Sequence, residues 1–221
     1  MENSPKEIFE NVFKIGNRLA TKNLVPGQRV YGEELVNING VEYRLWNPYR
    51  SKLSAAIING LKNMNIKKGS KVLYLGAANG TTCSHVSDII DRQGILFCIE
   101  ISERSMRDLI KVCEKRENMM PILADARNTP YYEDEVGKVD IIYEDVSARD
   151  QADILLSNSK MLNRNGFAYV AIKSQSISMS KNPSEIYQEF IDKVSNEFKL
   201  VEKVKIEPFH KKHLFAVFQK I

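Results

Sequence analysis

The sequence predicts an α/β protein: a largely parallel sheet covered by helices on both faces, closed by an antiparallel hairpin and preceded by a small antiparallel β unit. Three observations lead there. From Lys71 onward, short apolar β-type runs alternate with amphipathic helical segments. The run Val72-Leu73-Tyr74-Leu75 ends in a small-residue turn, Gly76-Ala77-Ala78-Asn79-Gly80, that opens into a helical pattern. The last two β runs are joined only by Glu207 to His213, too short for a parallel crossover, so they pair as a hairpin.

The elements follow in order. Up to about Asn47, β-type runs (Val12 to Ile15, Gly40 to Arg44) alternate with the turn signals Val25-Pro26-Gly27 and Asn37-Ile38-Asn39-Gly40. Trp46-Asn47-Pro48 closes this unit, which sets a division into residues 1–50 and 51–221. An amphipathic helix then places Leu53, Ile57, Leu61 and Met64 on one face, and Lys67-Lys68-Gly69 ends it. Lys71 to Leu75 is the first sheet strand, and Thr82 to Asp91 a helix with Thr81 or Thr82 as N-cap. Strands are expected at Ile95 to Glu100, Met120 to Ala124, Val139 to Tyr143 and Phe167 to Ile172. Helices are expected at Arg104 to Arg116, Gln151 to Leu162 and Ser184 to Phe198. The closing strands are Leu200 to Ile206 and Leu214 to Phe218.

The length of 221 residues suits one α/β domain with a small appendage. A hydrophobic fraction of 43% with 27% charged residues is ordinary for a soluble globular chain. The net charge of +4 permits a nucleic-acid partner without demanding one. Cys83, Cys98 and Cys113 form no C-x-x-C and are odd in number, so neither a disulfide framework nor a zinc site is expected. The polar start, Met1 to Glu7, does not read as a signal peptide, and no apolar run is long enough for a membrane helix. A cytoplasmic location is the expectation.

The turn after the first strand carries the first functional signal. Small residues let backbone approach a ligand, and a helix N-terminus offers free N–H groups. The spacing G-x-x-x-G fits neither the dinucleotide pattern G-x-G-x-x-G nor a P-loop, so S-adenosylmethionine suits it at least as well as a dinucleotide. In such sheets ligands sit beyond the carboxyl ends of the strands. Those ends carry Gly76, Ala77 and Ala78; Glu100, suited to a ribose diol; Asp125, suited to an adenine amino group; Glu144-Asp145-Val146-Ser147; and Lys173. Lys173 at a strand end needs a partner, and Asp145 on the adjacent strand supplies one. The pair reads either as a structural ion pair or as a catalytic pair with tunable proton affinity. The second reading is favoured because both groups face the cofactor side.

Further blocks resemble the fibrillarin family. They are Asn23-Leu24-Val25-Pro26-Gly27 with Val30-Tyr31-Gly32-Glu33, the specific block Tyr43 to Leu53, Lys71 to Ala78, Gly80 to Asp88, and Ala124-Asp125-Ala126-Arg127. The glycine- and arginine-rich tail of eukaryotic members is missing, so the chain is similar to the shorter archaeal form. The resemblance implies a Rossmann-like class I methyltransferase sheet and S-adenosyl-L-methionine-dependent 2′-O-methylation of rRNA and tRNA. It also implies a Nop-family scaffold protein and a box C/D guide RNA with its kink-turn-binding protein. Carried over by position, Thr81, Thr82, Glu100, Ile101, Asp125, Ala126, Asp145, Val146, Ser147 and Ala148 contact the cofactor. The catalytic set falls on Lys52, Asp145, Lys173 and His213. Ile101 replaces a usual aromatic residue, and Ala148 stands where Gln is common.

Arg44, Arg50, Lys52, Lys181, Lys211 and Lys212 are expected near the active edge, where they would meet RNA phosphates. Three other functions compete. A protein glutamine methyltransferase shares the cofactor. A dinucleotide oxidoreductase is disfavoured by the glycine spacing. A non-enzymatic RNA-assembly subunit is disfavoured by the intact Lys52, Asp145, Lys173 and His213.

Overall fold

The computed structural model describes residues 4–221; the first three residues of the polar start lie outside them. Strands β1 (Lys6–Phe9), β2 (Val12–Ile15), β3 (Arg18–Lys22), β4 (Leu35–Ile38) and β5 (Val41–Leu45) form a five-stranded antiparallel sheet, ordered β1-β2-β3-β5-β4. Asn39 and Gly40 both adopt positive φ, 52° and 80°, the conformation a tight hairpin needs between β4 and β5. The sequence reading anticipated β2 and β5 but not β1, β3 or β4, and it took Asn37-Ile38, the end of β4, as part of a turn.

The second sheet is built from β6 (Lys71–Leu75), β7 (Ile95–Glu100), β8 (Met119–Leu123), β9 (Val139–Glu144), β10 (Leu162–Lys173), β11 (Phe198–Lys205) and β12 (His213–Lys220). Its order is β11-β12-β10-β9-β6-β7-β8. The strands from β10 to β8 along this order run parallel, while β12 is antiparallel to both β10 and β11. Two apolar clusters, one on each face, cover it. The helices are α1 (Lys52–Ile58), α2 (Thr81–Ile90), α3 (Glu103–Cys113), α4 (Glu133–Val136), α5 (Gln151–Asn158), α6 (Ser174–Ile177) and α7 (Pro183–Val194).

Local departures from the sequence reading have physical causes. The helix expected through Met64 stops at Ile58, because Gly60 takes φ 98° and reverses the chain. Leu61 still enters the core, outside the helix. The cap of α2 is Gly80 at φ 84°, not a threonine, and no side chain caps that end. The helix expected through Phe198 ends at Val194, and Phe198 opens β11 instead.

The largest departure concerns Arg44. Expected at an RNA-facing edge, it is completely buried. Its Nε donates to Glu33 at 2.7 Å, Nη1 to Asp88 at 2.8 Å and Nη2 to Ser84 Oγ at 2.9 Å. Asp88 also accepts from Thr21 at 2.7 Å and from Arg116 at 2.7 Å. This charged cluster joins the N-terminal sheet to α2. His85 completes the contact: its ring stacks on Trp46 with centroids 4.7 Å apart, and its nitrogens meet Thr21 and Tyr31, each at 2.8 Å. Burial, then Arg44 and Arg116, push its pKa well below the usual value, so the ring is neutral.

Candidate active site

The sheet order reverses at β6: the chain proceeds to β7 and β8 on one side, and to β9 and β10 on the other. The carboxyl ends of β6 and β9 flank that switch point, where parallel sheets open a crevice. Asp145 N donates to Leu75 O at 2.9 Å, which ties the two ends together. Gly76 has φ 82°, and a Cβ there would stand 2.9 Å from the Asp145 carbonyl oxygen. Only glycine lets the two strand ends approach so closely.

The expected catalytic residues converge on this point. Lys52 begins α1, whose N-cap is Ser51, and its Nζ lies 2.9 Å from the Asp145 carboxylate. Lys173 ends β10, and its Nζ lies 2.7 Å from the same carboxylate. Lys173 Nζ also donates to the Asp145 carbonyl oxygen at 2.7 Å and to Ser147 Oγ at 3.0 Å. Burial alone would raise the Asp145 pKa, but the two ammonium groups outweigh it and hold the carboxyl below its usual range. Burial lowers the Lys173 pKa, Asp145 opposes that, and Lys52 reinforces it; the net shift is downward.

His213 opens β12 directly opposite Lys173 in the strand register. Its Nδ1 is 2.7 Å from the Lys211 carbonyl oxygen, so this nitrogen carries the proton and donates. Burial lowers its pKa, and Lys52 and Lys173 add to that, which favours a neutral ring with Nε2 as acceptor. Lysine, carboxylate, lysine and imidazole thus share one strand-end cluster.

Beside them lies a cavity of about 450 Å³. Lys52, Gly76, Ala78, Glu100, Ile101, Asp125, Ala126, Asp145, Val146, Ser147, Ala148 and Lys173 line it. Ala77, Thr81 and Thr82 do not: Ala77 and Thr82 are buried, and the Thr82 hydroxyl donates to Ser51 at 3.0 Å. Thr82 therefore braces the cap of α1, the helix that carries Lys52. Glu100 accepts from Ala78 N at 2.7 Å and from Ser102 N at 2.8 Å, which fixes its carboxylate at the end of β7. Ile101 is 62% exposed at the cavity. Arg127, which the sequence reading left without a role, also lines the cavity and pairs with Asp125 at 3.2 Å and Asp150 at 2.8 Å.

The remaining basic residues come from three segments of the chain. Arg50 is exposed, with its guanidinium 5.8 Å from the Tyr31 ring centroid. Lys211 and Lys212 are exposed on the β11–β12 turn, and the Lys212 carbonyl accepts from Ser174 Oγ at 2.9 Å beside Lys173. Lys181 is exposed near the start of α7 and pairs with Glu189.

Glu144 escaped the sequence reading as an ionisable core group. It is fully buried, flanked across the sheet by Leu75 and Val170, and neither carboxyl oxygen has a partner among the described residues. Burial raises its pKa well above the usual value; Lys173 opposes this and Asp145 adds to it. A raised folded-state pKa stabilises the native form below the unfolded pKa, and that contribution is lost as pH rises towards the folded value. The stability of Glu144→Gln relative to the native sequence should therefore grow with pH above about 4.5, by at most ~1.4 kcal/mol per pH unit. Urea unfolding of both chains at pH 5.5 and 6.5 measures it; an equal difference at both would mean that Glu144 is already ionised in the fold.

A largely parallel sheet with a switch-point cavity, Glu100 ending β7 and the Lys52–Asp145–Lys173 cluster together define a Rossmann-like methyltransferase. A sequence profile of the fibrillarin family matches residues 3–220, and the chain belongs to that family. The fibrillarin-like rRNA/tRNA 2′-O-methyltransferase of Methanococcus maripaludis is 49% identical over 219 residues, covering 96% of this chain and 95% of the relative. Among solved structures, the Methanococcus jannaschii fibrillarin pre-rRNA processing protein superposes with a TM-score of 0.95 at 47% identity, over 98% of this chain and 97% of the other. Aeropyrum pernix fibrillarin, solved with natively bound S-adenosyl-L-methionine, gives 0.86 at 43% identity, over 94% and 92%. A chain from a fibrillarin/Nop5p complex gives 0.89 at 33% identity, over 98% and 100%.

Proposed function

We propose that this chain is an S-adenosyl-L-methionine-dependent ribose 2′-O-methyltransferase of rRNA and tRNA. It would be the catalytic subunit of a box C/D ribonucleoprotein, with a Nop-family scaffold, a guide RNA and a kink-turn-binding protein. The observation that carries this reading is the Lys52–Asp145–Lys173 cluster at the edge of the switch-point cavity.

The residues present fit that cofactor. Gly76 keeps the cradle open where a Cβ would collide with Asp145. The Glu100 oxygens each accept one backbone N–H and retain a lone pair for a ribose hydroxyl. Ile99, Ile101, Ala126 and Val146 give apolar walls, and the Asp145 carboxylate suits an ammonium group. When bound, the cofactor supplies an electrophilic methyl on a good leaving group, so alignment provides much of the acceleration.

The chain's own task is then to place a ribose hydroxyl and manage its proton. Around the single Asp145 carboxylate, Lys52 and Lys173 leave this cluster with a local positive charge that favours an alkoxide over a neutral hydroxyl. Lys173 Nζ meets a carboxylate, a carbonyl and a hydroxyl. An ammonium satisfies all three as donor; a neutral amine still serves two and accepts from Ser147. Neutral His213, with Nε2 free to accept, is a second proton acceptor on the same edge.

Glu100→Ala should weaken S-adenosylmethionine binding by up to about a hundredfold, through loss of a charged acceptor. Calorimetry on the chain alone measures this, and unchanged affinity would remove Glu100 from the site. The functional reading is tested by methyl transfer. The lone chain should methylate RNA poorly and without site choice, because no base-reading motif is present. Adding scaffold, kink-turn-binding partner and guide RNA should confine methylation to one ribose of a matched target. Efficient site-specific methylation by the lone chain would contradict this.

A further inference from the structure

Beyond the Ala78–Thr81 turn lies a second cavity, of about 480 Å³, to which the reaction assigns no role. Ala78 lines the cofactor cavity, while its neighbour Asn79 lines this one. Its opposite walls come from the loop around Val25 to Tyr31 and from the last turns of α3 with the residues that follow.

Its charge is one-sided. Arg29, Arg50, Lys111, Lys115 and Arg116 line it against a single carboxylate, Asp108. Asp108 is already engaged by Asn79 at 2.7 Å and Lys111 at 3.2 Å. Arg116 is the distinctive member. It is only 2% exposed, and its Nη1 donates to Ser84 O, Ser87 Oγ and Asp88 Oδ1 at 3.1, 3.1 and 2.7 Å. Its Nη2 is buried and has no partner among the described residues. Glu33 and Asp88, the nearby buried acids, are both held by Arg44. That nitrogen is closed to solvent, so Arg116 acts on the cleft through its charge, beneath the exposed side chains that line it.

We propose that this cleft binds a phosphate group, held by Arg29, Arg50, Lys111 and Lys115 around its rim, with the buried Arg116 guanidinium adding its charge from beneath them. Two sources share that chemistry: a backbone phosphodiester of RNA, and a free phosphate or nucleotide. The RNA source rests on the methyltransferase reading above, since a strand held here would lie next to the cofactor turn. Phosphate held by side chains positions a strand without reading its sequence.

The test is a titration of the full chain, labelled with nitrogen-15, following arginine guanidinium resonances by NMR. Inorganic phosphate is one probe and a short single-stranded oligoribonucleotide the other. The Arg29 and Arg50 resonances should shift and saturate. Lys111→Glu/Lys115→Glu changes only rim residues and should weaken that association by about tenfold or more while leaving S-adenosylmethionine affinity unchanged. Saturation with RNA alone identifies the backbone as occupant; saturation with inorganic phosphate alone identifies a free phosphate. Absence of an Arg29 and Arg50 shift with both probes, or equal affinity in the double variant, overturns the proposal. An assembled complex that fails to methylate while Arg29 and Arg50 still saturate would count against the methyltransferase reading and leave the phosphate site standing.

Discussion

Lys173→Ala is expected to lower methyl transfer in the assembled complex by about a hundredfold to a thousandfold, with cofactor affinity nearly unchanged. The separation of roles follows from position. Lys173 sits at the end of β10 and meets Asp145 and Ser147, whereas Glu100 sits at the end of β7 on the other side of β6. Its charge gains value only as the ribose oxygen becomes anionic, so its loss falls on the transition state. Lys52 remains beside Asp145 in the variant, which keeps the carboxylate paired and the local fold intact. Asp145→Ala should behave differently. It removes the anion between two cations and the acceptor offered to the cofactor, so rate and cofactor binding should both fall. Single-turnover kinetics with cofactor affinity measured separately distinguishes the two. If Lys173→Ala retained more than about a tenth of the native rate, the pair would be a structural ion bridge.

The parts of this protein legible in its sequence are those that local rules govern. The strand and helix alternation after Lys71, the Gly76 turn and the closing hairpin all follow from period, small residues and connection length. The stop of α1 was also readable, because Asn59-Gly60 is a helix-ending pair, yet the apolar spacing through Met64 masked it. Their positions at the ends of adjacent strands alone place Asp145 beside Lys173. They could not bring in Lys52, which reaches the site from the far end of the β5–α1 connection and was supplied by family resemblance. The fate of charged residues was the least legible. Arg44 stands in an alternating strand next to Glu42, a pattern of a solvated face, and only the packing of α2 against the N-terminal sheet buries it. Glu144 precedes Asp145 in a run of acids, but strand alternation sends the two to opposite faces, one into the core and one into the site.

Arg44→Met is expected to destabilise the fold by about 3–5 kcal/mol. Methionine keeps the aliphatic stem but ends where the guanidinium begins, so the change removes the charge, three hydrogen bonds and the volume of the guanidinium together. Without Arg44, Glu33 loses its ion-pair partner and Asp88 keeps only Arg116, leaving one uncompensated negative charge in the buried cluster. Glu33 shows how far the pair is relied upon. Burial alone would raise its pKa, yet Arg44 and the backbone N–H groups of Tyr31 and Val30 hold it below the usual carboxylate range. Removing that cation leaves the burial cost opposed only by those backbone N–H groups. The cluster also fixes the N-terminal sheet on α2, so unfolding of the two should be less cooperative in the variant. Urea denaturation followed by circular dichroism gives the loss directly. An RNA-contacting arginine would give the opposite pattern, weaker RNA association with stability unchanged. A loss below about 1 kcal/mol, the range of an exposed ion pair, would mean that water reaches the cluster and that the charges are not dependent on one another.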